Sequence, residues 1–179
     1  MRYGMAPETV ARILASQHTI SPHRMALSTV NREGTSFTLI DDSFNANPDS
    51  MKAGLNGLKA WNSNDGKEPF RVALLGAMLE LGADETALHT SIGTYADELG
   101  IDAIIAVGSA QDQHLDALAQ ALADGARQSQ FASVDCVHDI DAAEQLVIDL
   151  ARNHPDAVVL LKGSHASGLS ALAERWAKN

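Results

Sequence analysis

The chain has a single cysteine, Cys136, in 179 residues. That excludes an internal disulfide and suits a reducing, cytoplasmic compartment. Positive charge is scarce: 13 Lys and Arg face 23 Asp and Glu, for a formal charge of −10. So acidic a chain is a poor partner for nucleic acid or an anionic membrane, although a local cationic spot can still hold a phosphate. No apolar run reaches membrane-spanning length, and the first residues lack the charged-then-apolar order of a secretory signal. There is no G-x-x-x-x-G-K-[ST] loop, no G-x-G-x-x-G after a strand and no G-x-S-x-G elbow. The missing dinucleotide fingerprint counts against a redox or hydride-transfer domain. No Cys/His cluster has metal-ligand spacing. Glu80, Glu85 and His89 come nearest to a metal or acid–base grouping, and the other histidines are scattered, most of them expected to be exposed. What remains is a composition 45% apolar, enough to bury the core of one ordinary domain with a short appendage.

Periodicity organises the chain. Residues 6–17 read as a helix, with Pro7 at its start and Val10, Ile13 and Leu14 as an apolar stripe. The polar connector Thr19 to Arg24 reads as a boundary or hinge. Strands are expected at 25–29 and 36–40, joined through a turn at Asn31 to Gly34. From Pro48 onward helix and strand alternate. Helices are predicted from Pro48 with Asn47 as N-cap, at 84–99 with Leu88, Ile92, Tyr95 and Leu99 on one face, at 112–126, 141–153 and 169–178. Strands are predicted at 71–75, 103–107, 134–137 and 157–161. Short apolar strands between amphipathic helices predict an α/β fold: a mostly parallel sheet with helices on both faces, preceded by a short helix and a β-hairpin.

In such folds ligands gather at the carboxyl ends of the strands. Those ends carry Asp41-Asp42, Gly76, Gly108-Ser109, His138-Asp139 and Lys162-Gly163-Ser164. The segment Asp41 to Ser50 is the most polar of these junctions. Its carboxylates could accept from sugar hydroxyls, Asn45 or Asn47 could pair with a base edge or an amide, and the helix beginning at Pro48 points its positive end at the turn. Helix capping accounts for Asn47 and Asp49 but not for both aspartates together with Asn45. Lys162 could present its ammonium to an anion with help from Ser164, or it could be a solvated lysine before a turn. Arg24 could reach a phosphate across a cleft, or simply be a surface charge.

Asp41 to Met51, with the order D-D-S-F-N-A-N-P-D-S-M, is similar to a D-D-S-Y-N-A-N-P-x-S-M signature of the Mur ligases. Val72 to Gly82 resembles their V-L-G-D-M-x-E-L-G run, His89 and Gly93 match an H-x-x-x-G spacing, and Leu161 to Ser164 is similar to V-K-G-S. Pro22 to Met25 resembles the P-G-R-M or H-R linker that precedes their C-terminal domain. On these four motifs and the linker, the chain is identified as a member of the Mur ligases, with residues 1–24 the end of a central domain and its linker and 25–179 the C-terminal domain. The resemblance implies a Rossmann-like sheet. It also implies a part in the ATP-dependent joining of D-alanyl-D-alanine to a UDP-muramoyl tripeptide, through an acyl phosphate attacked by the dipeptide's amine. Arg24, Asp42, Asn45 and Asn47 would then contact nucleotide, and Lys162 and Ser164 would lie near the incoming dipeptide or the reacting centre. ATP and Mg2+ would be bound mainly by a central domain expected upstream of residue 1, together with the UDP-substrate domain, so that this chain alone is expected to be inactive. Four positions depart from the pattern. Phe44 stands where tyrosine is usual, Ala77 where aspartate is expected, His165 where arginine is frequent, and His23 in place of glycine. The competing expectation is a non-catalytic module of the same ancestry that binds a nucleotide or a protein.

Overall fold

In the computed structural model, residues 23–62, 68–128 and 132–178 are described. The helix expected at 6–17 and most of the expected linker lie outside them. The first described element is a hairpin of β1 (Ala26–Arg32) and β2 (Thr35–Asp42), paired antiparallel from Ala26 opposite Asp41 to Arg32 opposite Thr35. Its turn is two residues long, Glu33 and Gly34, and both have positive φ, as a turn matched to strand twist requires. The tight turn makes both strands longer than the apolar runs predicted, so Asp41 and Asp42 end β2 rather than follow it.

Next come α1 (Pro48–Ala60), β3 (Arg71–Gly76), α2 (Glu85–Glu98) and β4 (Ala103–Val107). They are followed by α3 (Gln113–Ala126), β5 (Ser133–Val137), α4 (Ile140–Asn153), β6 (Val158–Lys162) and α5 (Leu169–Ala177). The strand order is β1-β2-β6-β3-β4-β5, and every pair after the hairpin is parallel. The mixed α/β sheet is therefore as expected, but β2 belongs to both the hairpin and the parallel sheet.

Alternate residues of each inner strand feed opposite layers. Ile40, Leu75, Ile104 and Leu160 pack with Met51, Leu55 and Leu58 of α1, Ile92 of α2 and Leu122 of α3. Leu39, Leu74, Ile105 and Leu161 pack on the other face with Val147 of α4 and Leu169, Leu172 and Trp176 of α5. Buried Arg71 closes one end of the first layer, donating to the carbonyls of Leu58 and Trp61 where α1 stops. No helix among the described residues is long and apolar enough to cross a membrane.

Candidate functional site

The strand order creates a gap at the carboxyl end of the sheet. After β2 and β3 the chain runs to α1 and α2 on one face, whereas after β6, which lies between them, it runs to α5 on the other. Loops that leave neighbouring strands in opposite directions open a crevice there. Its floor is close-packed. A Cβ on Gly163 would lie 2.6 Å from Ser167 Oγ and 3.0 Å from Gly76 Cα, so only glycine lets the ends of β3 and β6 meet.

Lys162 ends β6 in register with Asp42 of β2. It is 2% exposed, far from a solvated lysine. Its ammonium lies 2.7 Å from Asp42 Oδ2, donates to the Asn45 carbonyl at 3.0 Å and reaches the Asp42 carbonyl at 3.4 Å. A buried ammonium needs such a set of acceptors to offset its lost hydration. The lysine stem crosses α1 at Gly54, where a Cβ would stand 2.7 Å from its Cδ. The second Asp42 oxygen accepts the Met25 amide.

The polar turn above this ion pair divides into two kinds of residue. Asp41 is committed to the fold: one oxygen accepts from the amide and hydroxyl of Ser43, and the other lies 2.7 Å from His23 Nδ1. Asn47 caps α1, its Oδ1 accepting from the Ser50 amide while Ser50 Oγ accepts from the Asn47 amide. Asn45 turns its side-chain oxygen to the Ala46 amide. Arg24 sits over the exposed face of Phe44, 4.4 Å from the ring centroid. Arg24, Asp42, Asn45, Asn47 and Lys162, with Phe44, line one recess of about 170 Å³. Five of the six site residues expected from sequence thus converge. The sixth, Ser164, lies in an adjoining recess of about 460 Å³ shared with Phe44, Asn45, Leu79 and Glu80. Its Oγ is buried without a hydrogen-bond partner.

The sequence marked His89 as a candidate for metal or acid–base work with Glu80 and Glu85, and the structure gives it a different place. It is fully buried on α2, its Nε2 accepting from the Met78 amide at 2.8 Å and its Nδ1 bonded to the Glu85 carbonyl at 2.7 Å. The H-x-x-x-G spacing and the nearby Glu85 drew attention to it, but neither told that it would be buried against the Met78 amide. Among the described residues no group of three His, Cys, Asp or Glu side chains could hold a metal ion.

Residues 23–165 match the family described as Mur ligase, glutamate ligase domain. The chain belongs to the Mur ligase family. A Mur ligase from Mycobacterium tuberculosis (strain CDC 1551 / Oshkosh), named UDP-N-acetylmuramoyl-tripeptide–D-alanyl-D-alanine ligase, is 37% identical over 177 residues, covering 96% of this chain and 34% of its own length. The chain therefore spans about a third of that relative. MurF from Acinetobacter baumannii superposes with a TM-score of 0.74 at 23% identity, over 98% of this chain and 35% of that one. The MurF ligase from Thermotoga maritima, solved in complex with ADP, gives 0.60 at 21% identity over 95% of this chain and 36% of that one. At such identities the Mur ligase structures establish the fold, and the roles of individual residues rest on the site itself.

Proposed function

We propose that this Mur ligase domain is the closing part of an ATP-dependent ligase that adds D-alanyl-D-alanine to UDP-N-acetylmuramoyl-tripeptide in peptidoglycan precursor synthesis. The observation that carries the proposal is the convergence of Arg24, Asp42, Asn45, Asn47 and Lys162 on one recess at the crevice, with Ser164 beside it. The names of the relatives supply the substrates. ATP fits the polar recess: Arg24 offers a fixed positive charge to a phosphate oxygen, while Asp42 and the side chains of Asn45 and Asn47 offer acceptors and amides to ribose or base. Mg2+ would be held mainly by a central domain of the full-length ligase together with the nucleotide phosphates. When this domain closes, its rim excludes water, so that the dipeptide amine rather than water meets the activated carboxylate. Lys162 contributes by holding the β2–α1 turn in place, and Ser164 by offering a free hydroxyl toward the dipeptide.

The test is steady-state kinetics of dipeptide-dependent ADP release by the full-length ligase. Asp42→Ala and Lys162→Ala are each expected to lower kcat/KM by about 100-fold, the scale of a reacting geometry displaced by an ångström. The isolated chain is expected to release no ADP. Unchanged kinetics in both variants would reject the assignment and favour a non-catalytic module.

A further inference from the structure

A single peptide group links His89 to Ser164. The amide of Met78 donates to His89 Nε2 at 2.8 Å, and the carbonyl of the same peptide group, that of Ala77, accepts from the Ser164 amide at 2.9 Å. On the far side of the ring, Nδ1 faces the Glu85 carbonyl at 2.7 Å. A carbonyl can only accept, so the ring proton sits on Nδ1 and Nε2 offers its lone pair to Met78. The imidazole therefore fixes which way the Ala77–Met78 peptide plane faces. Were that plane to turn, the Ala77 carbonyl would leave Ser164. The Ser164 carbonyl is held separately by the amide and hydroxyl of Ser167, at 3.0 and 2.6 Å. With both of its backbone groups engaged, Ser164 keeps a buried hydroxyl free of partners beside the larger recess. A buried hydroxyl without a partner is costly and rare in proteins. Ser164 lines the recess, in which a ligand carboxylate or amide could accept from that hydroxyl once its side chain turns outward.

We propose that His89 is a positioning residue: through the Ala77–Met78 peptide it holds Ser164 in the orientation that offers its hydroxyl to the dipeptide. The role in substrate binding rests on the ligase reading above, whereas the His89-to-Ser164 relay stands on geometry alone. Protonating His89 would place a second N–H against that of Met78 and break the relay. The titratable groups facing the ring are Glu85 on its own helix and His114 on α3, themselves 3.3 Å apart. Burial lowers the His89 pKa from the ordinary 6.5 despite the opposing pull of Glu85. A lowered histidine pKa means the unfolded chain binds the proton first. The stabilisation from neutral His89 is thus complete above pH 6.5 and is lost as pH falls from there toward the lowered value.

Amide exchange by NMR on this chain tests the relay without any activity. In His89→Gln a side-chain oxygen can still accept from Met78, and the Met78 and Ser164 amides are expected to remain protected. In His89→Leu both are expected to exchange about tenfold faster together, the scale of one lost hydrogen bond, while Ile92 and Ala96 are unaffected. Should the leucine variant fail to fold, acid titration of the wild type replaces it, with the Met78 and Ser164 amide shifts expected to follow the His89 ring. A Ser164 amide indifferent to the loss of Met78 protection, or to His89 titration, overturns the relay. In the full-length ligase, His89→Leu is expected to raise the dipeptide KM about tenfold with kcat little changed, and His89→Gln to restore it. Coupled amides with an unchanged dipeptide KM would instead overturn the positioning role, leaving the relay as architecture.

Discussion

The ammonium of Lys162 serves the β2–α1 turn from the opposite end of the sequence. Replacing it with methionine keeps most of the buried stem but leaves the Asp42 carboxylate and two carbonyls without their donor. Removing one partner of a buried pair costs about 3–5 kcal/mol. Because the Asp42 side chain keeps 17% of its surface in solvent, Lys162→Met is expected to destabilise the chain by about 2–4 kcal/mol, read as a shift in the urea midpoint. The sequence shows an aspartate and a lysine, each at a strand end, and the chemistry of each is legible there. Their meeting is not, because 120 residues separate them and only the strand order makes β2 and β6 neighbours. Asp41 illustrates the reverse case. Two adjacent aspartates look equivalent in sequence, yet the pleat sends their side chains to opposite sides of β2. Asp41 meets Ser43 and His23, and Asp42 meets the crevice.

At the scale of elements, strands and helices followed from periodicity because each inner strand is buried on both faces and each helix on one. The α2 helix departs from that rule. Its sequence suggested a buried row of Leu88, Ile92, Tyr95 and Leu99. Instead Ile92 is buried together with His89, Gly93, Ala96 and Asp97, while Leu88, Tyr95 and Leu99 pack only partly against the core. The reason is that α2 and α3 touch backbone to backbone. A Cβ on Gly93 would collide with the Leu122 carbonyl, and one on Gly125 with that of Thr90. Small residues therefore set the orientation of α2, and hydrophobicity does not record it. Gly93→Ala gains about 1 kcal/mol of helix propensity, but it must push α3 away. A net loss of about 2–3 kcal/mol is expected, seen as a lower thermal midpoint with His89 displaced from Met78.

For the whole molecule, the fold class was legible from the alternation of elements, but the position of β6 was not. Nothing in the run Val158 to Lys162 says that it inserts between β2 and β3. It pairs with β2 from Thr38 to Asp42 and with β3 from Arg71 to Leu75, and no other strand among the described residues joins these two halves. A chain ending at residue 157 would keep a two-stranded hairpin and a three-stranded sheet with apolar edges unpaired. It is expected to lose cooperative unfolding and to aggregate, as followed by circular dichroism and gel filtration. Time enters here as well as space. On the ribosome the hairpin and β3 to β5 emerge first, and both must wait for a strand made long after them. Lys162 arrives on that same strand, so the crevice and the sheet are completed in one event. A nascent chain thus has no crevice of this shape until its fold is whole.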